Sequence, residues 1–164
     1  MRPDIANADQ VRFDPRVRRW IWLLGIAGLI PFVGHTVVAT MMAPPFSVIA
    51  VSSQILYGAL ILTFVGGLHW GILLVAGSLF SQRQIVARLV WSVVPSLYAF
   101  WFAQTTEPGP LLYLAGGLCV ALAVDLYFYS GTPIPGLKAF LPLRFILTVV
   151  AGVCLLVTWF AAIR

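Results

Sequence analysis

An all-α, polytopic membrane helix bundle of about five transmembrane helices, with its N-terminus in the cytoplasm, is the fold class this sequence predicts. Three observations carry that reading. Of 164 residues, 61% are hydrophobic and only 9% charged, with a mean hydropathy of +0.99; a soluble domain has no interior large enough to hide that much apolar surface. The apolar residues fall into long runs parted by short polar or proline-rich connections. The basic residues gather beside alternate ends of those runs, as topology requires.

Residues 1–19 hold Arg2, Asp4, Asp9, Arg12, Asp14, Arg16, Arg18 and Arg19 with Pro3 and Pro15, and read as a polar cytoplasmic tail. Residues 20–164 form the transmembrane domain. Its first span, 20–42, is uncharged and long enough to cross about 30 Å of hydrocarbon at about 1.5 Å per residue. A cleavable signal peptide is the rival reading of this run, but its length and Pro31 favour an uncleaved helix. Pro44-Pro45 ends it. The second span, 54–80, has no charged residue and is long enough to tilt. After the polar link Ser81-Gln82-Arg83-Gln84 comes the third span, 85–103, with Pro95 as an expected kink. Glu107-Pro108-Gly109-Pro110 cannot continue a helix, so the fourth span covers 111–129. The loop around Pro133 and Pro135 leads to the fifth, 140–163.

With the N-terminus inside, nine of the ten basic residues fall on the cytoplasmic side: Arg2, Arg12, Arg16, Arg18, Arg19, Arg83, Arg88, Lys138 and Arg144. Arg164 alone falls outside. The formal charge of +5 is therefore explained by topology, and no nucleic-acid partner is expected. Cys119 and Cys154 lie inside apolar runs, where they act as small hydrophobes.

Ionisable residues at membrane depth are costly unless paired or facing water, so they are the candidates for function. His69 is about 16 Å from the cytoplasmic end of the second span, near the midplane. It shares a helical face with Gly58, Leu62, Gly66, Leu73 and Gly77, and with Gly67 and Gly71 nearby these glycines invite close helix packing. Trp70 adjoins it in the same motif. Asp125 near the end of the fourth span and Arg144 one turn into the fifth have similar depth, which makes a salt bridge the expectation, with Arg88 as the alternative partner. His35 and His69 differ in expected depth by only about 6 Å, which leaves a bis-histidine haem as an alternative to the expectation of no cofactor. No Walker loop, zinc spacing, nucleophile elbow or carboxylate pair is present, so neither a catalytic residue nor a metal site is expected.

Gly28-Leu29-Ile30-Pro31-Phe32, Gly66-Gly67-Leu68-His69-Trp70-Gly71, Trp91 with Pro95, Asp125, and Leu143-Arg144 with Leu147-Thr148 together carry a resemblance. Over residues 20–163 the chain resembles the uncharacterised bacterial and mitochondrial membrane family that includes transmembrane protein sixty-nine. That resemblance implies a multi-helix inner-membrane protein and supplies no activity. His35 belongs to none of these motifs. The preference for Arg over Lys, with abundant Ala, Gly, Val and Leu, points to a GC-rich bacterial source and hence to a bacterial inner membrane.

Small size, scarce polar lining and glycine-rich faces favour a non-enzymatic accessory or assembly partner of a membrane complex, in contact with the lipid bilayer and another membrane protein. A small proton-coupled carrier using His69 with Asp125 and Arg144 is the second reading. An enzyme acting on lipid or quinone head groups at the cytoplasmic face is the third.

Overall fold

The computed structural model describes residues 14–104, 107–132 and 134–164; Arg2, Asp4, Asp9 and Arg12 of the tail, and Pro133 of the last loop, lie outside them. Among the described residues every regular element is a helix: α1 (Pro15–Ala27), α2 (Ile30–Met41), α3 (Phe46–Ala76), α4 (Gln82–Phe102), α5 (Gly109–Ser130) and α6 (Pro135–Ala162). A 3-10 turn, Gly77–Leu79, extends α3. Five helical stretches are long and apolar enough to cross a membrane, because α1 and α2 together form one span, Pro15–Met41. The fold is thus the all-α multi-pass bundle expected.

The helix ends differ from the hydropathy boundaries for local reasons. The first helix starts at Pro15, inside the stretch read as tail, because Asp14 caps it by accepting a 2.8 Å bond from the Arg16 N–H and proline suits the first helical position. α3 starts at Phe46, eight residues before the charge-free run was expected to turn helical, since nothing after Pro45 breaks it. Ser81 and Gln84 form a reciprocal capping box that starts α4 at Gln82. Pro135 at the head of α6 likewise sets its start ahead of position 140.

An interruption inside the first span was not anticipated. Proline at position 31 offers no N–H and its ring crowds the carbonyl four residues back, so the helix breaks at Gly28 and Leu29. The Gly28 carbonyl is met instead by the Tyr57 hydroxyl of α3, which donates to it at 2.8 Å. Above the break α2 packs firmly on α3 and α6; below it α1 has no buried residue and leans chiefly on α6.

α3 occupies the centre, with α2, α4, α5 and α6 against it, and α5–α6 and α6–α2 contacts close the ring around it. The inward stripe of α3 runs through Gln54, Gly58, Leu62, Val65, Gly66 and His69, at the three-to-four spacing of one helical face. Facing it are Leu111, Leu114, Leu118 and Ala121 of α5 and Ala151 and Leu155 of α6, all buried. Large apolar side chains such as Leu74, Val75 and Trp101 cover the outside, as lipid contact requires.

The glycines of the α3 motif divide into two sets. A Cβ at Gly66 would stand 2.9 Å from the Ser92 carbonyl oxygen and 3.0 Å from Pro95 Cγ, so backbone approaches backbone where α3 crosses α4. At Gly58 a Cβ would meet Leu114 at 3.3 Å and Leu155 at 3.6 Å. Gly67, Gly71 and Gly77, expected to help pack the bundle, would meet nothing within 4 Å. They lie a third of a turn or more off the inward stripe, or beyond its buried end, and make no close helix contact within the chain. Replacing Gly66 by Ala should therefore lower stability by about 1–3 kcal/mol through overpacking against a carbonyl that cannot step aside. Gly67→Ala should be neutral or stabilising by up to about 1 kcal/mol, as alanine favours the helix. Thermal unfolding in a mild detergent checks both, and equal melting points would contradict the close approach.

Candidate functional site

Each of four helices brings its inward stripe to a polar residue at the same end of the bundle. On α3 the stripe reaches His69; on α5 it runs 111, 114, 118, 121 to Asp125; on α6 it passes from Thr158 through Leu155, Ala151 and Thr148 to Arg144; on α4 it runs 99, 95, 92 to Arg88. All four ionisable side chains are buried, His69 and Asp125 completely. The apolar positions of each helix thus drag a charged group into the core with them.

There the groups satisfy one another in sequence. Arg144 Nε donates to Asp125 Oδ2 at 2.8 Å, and Arg144 Nη1 donates to the Thr148 hydroxyl at 3.0 Å. The other carboxylate oxygen, Oδ1, stands 3.1 Å from His69 Nε2. Arg88 Nη1 reaches His69 Nδ1 at a long 3.5 Å, and Arg88 Nη2 donates to the Phe128 carbonyl at 2.8 Å. A carboxylate at Nε2 needs a proton there, and a guanidinium at Nδ1 needs a lone pair, so the neighbours assign His69 the Nε2–H tautomer. The Arg88 guanidinium lies 4.5 Å from the ring centres of both Phe80 and Phe128, a cation–π sandwich that offsets part of its desolvation. Phe128 and Tyr129 flank the imidazole at 5.4 and 5.6 Å.

Asp125 therefore pairs with Arg144, and Arg88 joins the cluster through His69 and not through the carboxylate. Both arginines, counted on the cytoplasmic side and offered as partners for Asp125, are interior residues. Trp70 is turned outward and 47% exposed, so it takes no part. His35 is half-buried on α2 beside Thr36, and Thr36 is bonded to Gln54, fifteen residues or about 22 Å along α3 from His69. The expected 6 Å offset between the histidines is thus far too small; part of the error is that the first helix starts at Pro15, five residues ahead of Trp20. An iron held by both histidines does not fit this arrangement, and His69 Nε2 is already engaged by Asp125. Among the described residues there is no group of three or more His, Cys, Asp or Glu able to hold a metal ion.

Sequence reasoning missed a second buried polar layer at the opposite end. The Thr158 hydroxyl donates to Gln54 Oε1 at 2.7 Å and lies 3.1 Å from the Thr36 hydroxyl, and Gln54 Nε2 donates to Thr36 at 3.2 Å. Gln54 and Thr158 are fully buried. The signal was present, since continuing the His69 face backward at helical spacing leads through Gly58 to Gln54. Between the two layers lie Leu62, Leu114, Leu118, Ala151 and Leu155, an apolar slab.

Over residues 17–160 the chain matches the family described as "Protein of unknown function (DUF3429)". It belongs to that family. It is 37% identical over 133 residues to a protein named "Transmembrane protein 69" from Xenopus tropicalis, a match covering 78% of this chain and 49% of that relative. The chain thus spans about half the length of that curated relative. No solved structure matches it. The DUF3429 match takes in His69, Arg88, Asp125, Arg144 and Thr148 together, so the whole cluster lies within the family segment.

Breaking the pair should leave a buried guanidinium without its counter-charge. Asp125→Asn is expected to cost about 3–5 kcal/mol, less if Arg144 reaches toward the interface, and the double change with Arg144→Gln should recover part of it. A double-mutant cycle of detergent unfolding measures the coupling, expected at about 0.5–3 kcal/mol; strictly additive effects would contradict the pair.

Proposed function

We propose that this membrane protein of unknown function is a non-enzymatic accessory or assembly partner of a larger membrane complex, seated in a bacterial inner membrane with its N-terminus in the cytoplasm. The observation that carries the reading is the open glycine face of α3. Gly67 and Gly71, four residues apart, border an apolar groove of about 630 Å³ between α3 and the start of α6, with Phe64, Val75, Ile134 and Leu137 along it. Small residues at that spacing let a second backbone approach closely, which is how helices associate where no hydrophobic driving force separates them from lipid. A transmembrane helix of the partner suits a groove that is apolar throughout and lies at membrane depth.

Two further features support a partner over a carrier or an enzyme. Both oxygens of Asp125 are engaged within the bundle, by His69 and Arg144, as a structural ion pair requires. An apolar slab several helical turns deep separates the two polar layers, and a proton path between them would have to cross it.

Blue-native electrophoresis of gently solubilised native membranes tests the proposal. The chain should run in a particle well above its own 17.9 kDa that contains other subunits. Gly67→Leu with Gly71→Leu should release it from that particle without lowering its melting in isolation, because a Cβ at either position would meet nothing within 4 Å. A particle of this chain alone, or one indifferent to the double change, would contradict the reading. Asp125-dependent dissipation of a pH gradient in proteoliposomes would favour the carrier instead.

A further inference from the structure

The buried cluster is short of acceptors. Among the described residues two guanidiniums and one carboxylate are buried, so cations outnumber anions whatever the state of His69. Arg144 Nη2 and Arg88 Nε are buried donors without hydrogen-bond partners. An unmet guanidinium nitrogen at membrane depth is costly, and an anionic oxygen is the group that would remove the cost and balance the charge.

Arg144 and Thr148 line a cavity of about 230 Å³ directly under the break in the first span, whose other walls include Gly28, Phe32, Ile61 and Val65. Leu24 and Phe64 also border it and are 67% and 63% exposed on the lipid side, so the cavity opens sideways to acyl chains. A second cavity of about 370 Å³ shares Leu68 and Phe140 with the first and runs beneath α1 to Arg18 and Tyr129. The loosely held α1, with no buried residue, forms its cover.

We propose that this cavity binds the anionic head group of a single-chain amphiphile, with Arg144 Nη2 as its donor and the acyl tail leaving between Leu24 and Phe64. The second cavity, whose lining includes the basic Arg18, adjoins the first across Leu68 and Phe140. A carboxylate and a phosphate monoester share the required chemistry, a compact anionic oxygen group on one chain.

Equilibrium binding to the whole protein in uncharged maltoside micelles, with radiolabelled oleate, 1-oleoyl-lysophosphatidate and methyl oleate, tests the site. One anionic ligand should bind per chain, at least about tenfold tighter than methyl oleate, which keeps the tail and loses the charge. Whichever of oleate and lysophosphatidate binds more tightly identifies the head group. Arg144→Gln should abolish that preference. Should this variant fail to fold, Ile61→Trp decides, since it fills the cavity while leaving Arg144 and its ion pair in the chain and should weaken the anion about tenfold in a protein that still unfolds cooperatively. Methyl oleate bound as tightly as both anions, or anion binding undiminished in a folded Ile61→Trp protein, would overturn the proposal.

Discussion

Asp125, the single fully buried carboxylate among the described residues, sets the terms for one end of the bundle. Left alone at that depth it would cost several kcal/mol. Its two oxygens are met by groups from two other helices, His69 of α3 and Arg144 of α6, and the histidine in turn faces Arg88 of α4. Four helices are thereby held in register by a few directional bonds. Dispersion and glycine-mediated approach bring the helices together, but neither fixes rotation or depth. The polar chain does, because a turn of any one helix would strand a charge in hydrocarbon.

The opposite end repeats the device without charge. Thr36, Gln54 and Thr158 tie α2, α3 and α6 through neutral hydrogen bonds. Between the two layers the core is mostly apolar, the buried Ser92 hydroxyl bonding only to the Leu89 carbonyl of its own helix. The bundle is thus clamped at two depths around an apolar core. The part left loose is α1, hinged from α2 by the proline break and covering the cavity beside Arg144.

Much of this was legible in the residues. Span number followed from hydropathy, since 20 or so uncharged residues have one cheap solution in a bilayer. The Asp125–Arg144 pair followed from depth alone, because an isolated Asp in a span demands a partner at its own level. His69 was grouped with that pair in the carrier reading, but its contact with Asp125 could not be derived beforehand: depth counts do not say which helices are neighbours, and the central position of α3 is a tertiary fact. The route by which Arg88 joins, through His69, was hidden for a related reason. Its six-residue distance from the start of α4 suits a residue reaching back to the interface, and only the faces of Ser92, Pro95 and Ala99 betray that it points inward. The glycine motif carried two messages at once. Gly66 serves contact within the chain while Gly67 and Gly71 face out, a division that a motif read as a unit conceals.

The central claim is that Asp125 holds the His69 imidazole by its Nε2–H while Arg144 holds the carboxylate. Nitrogen-15 spectroscopy of protein labelled at its two histidines reads this directly, with His35→Gln leaving His69 as the sole signal. The account predicts a hydrogen-bonded proton on Nε2, a bare Nδ1, and loss of that signature in Asp125→Asn. A proton resident on Nδ1, or a spectrum indifferent to the loss of the Asp125 charge, would contradict it.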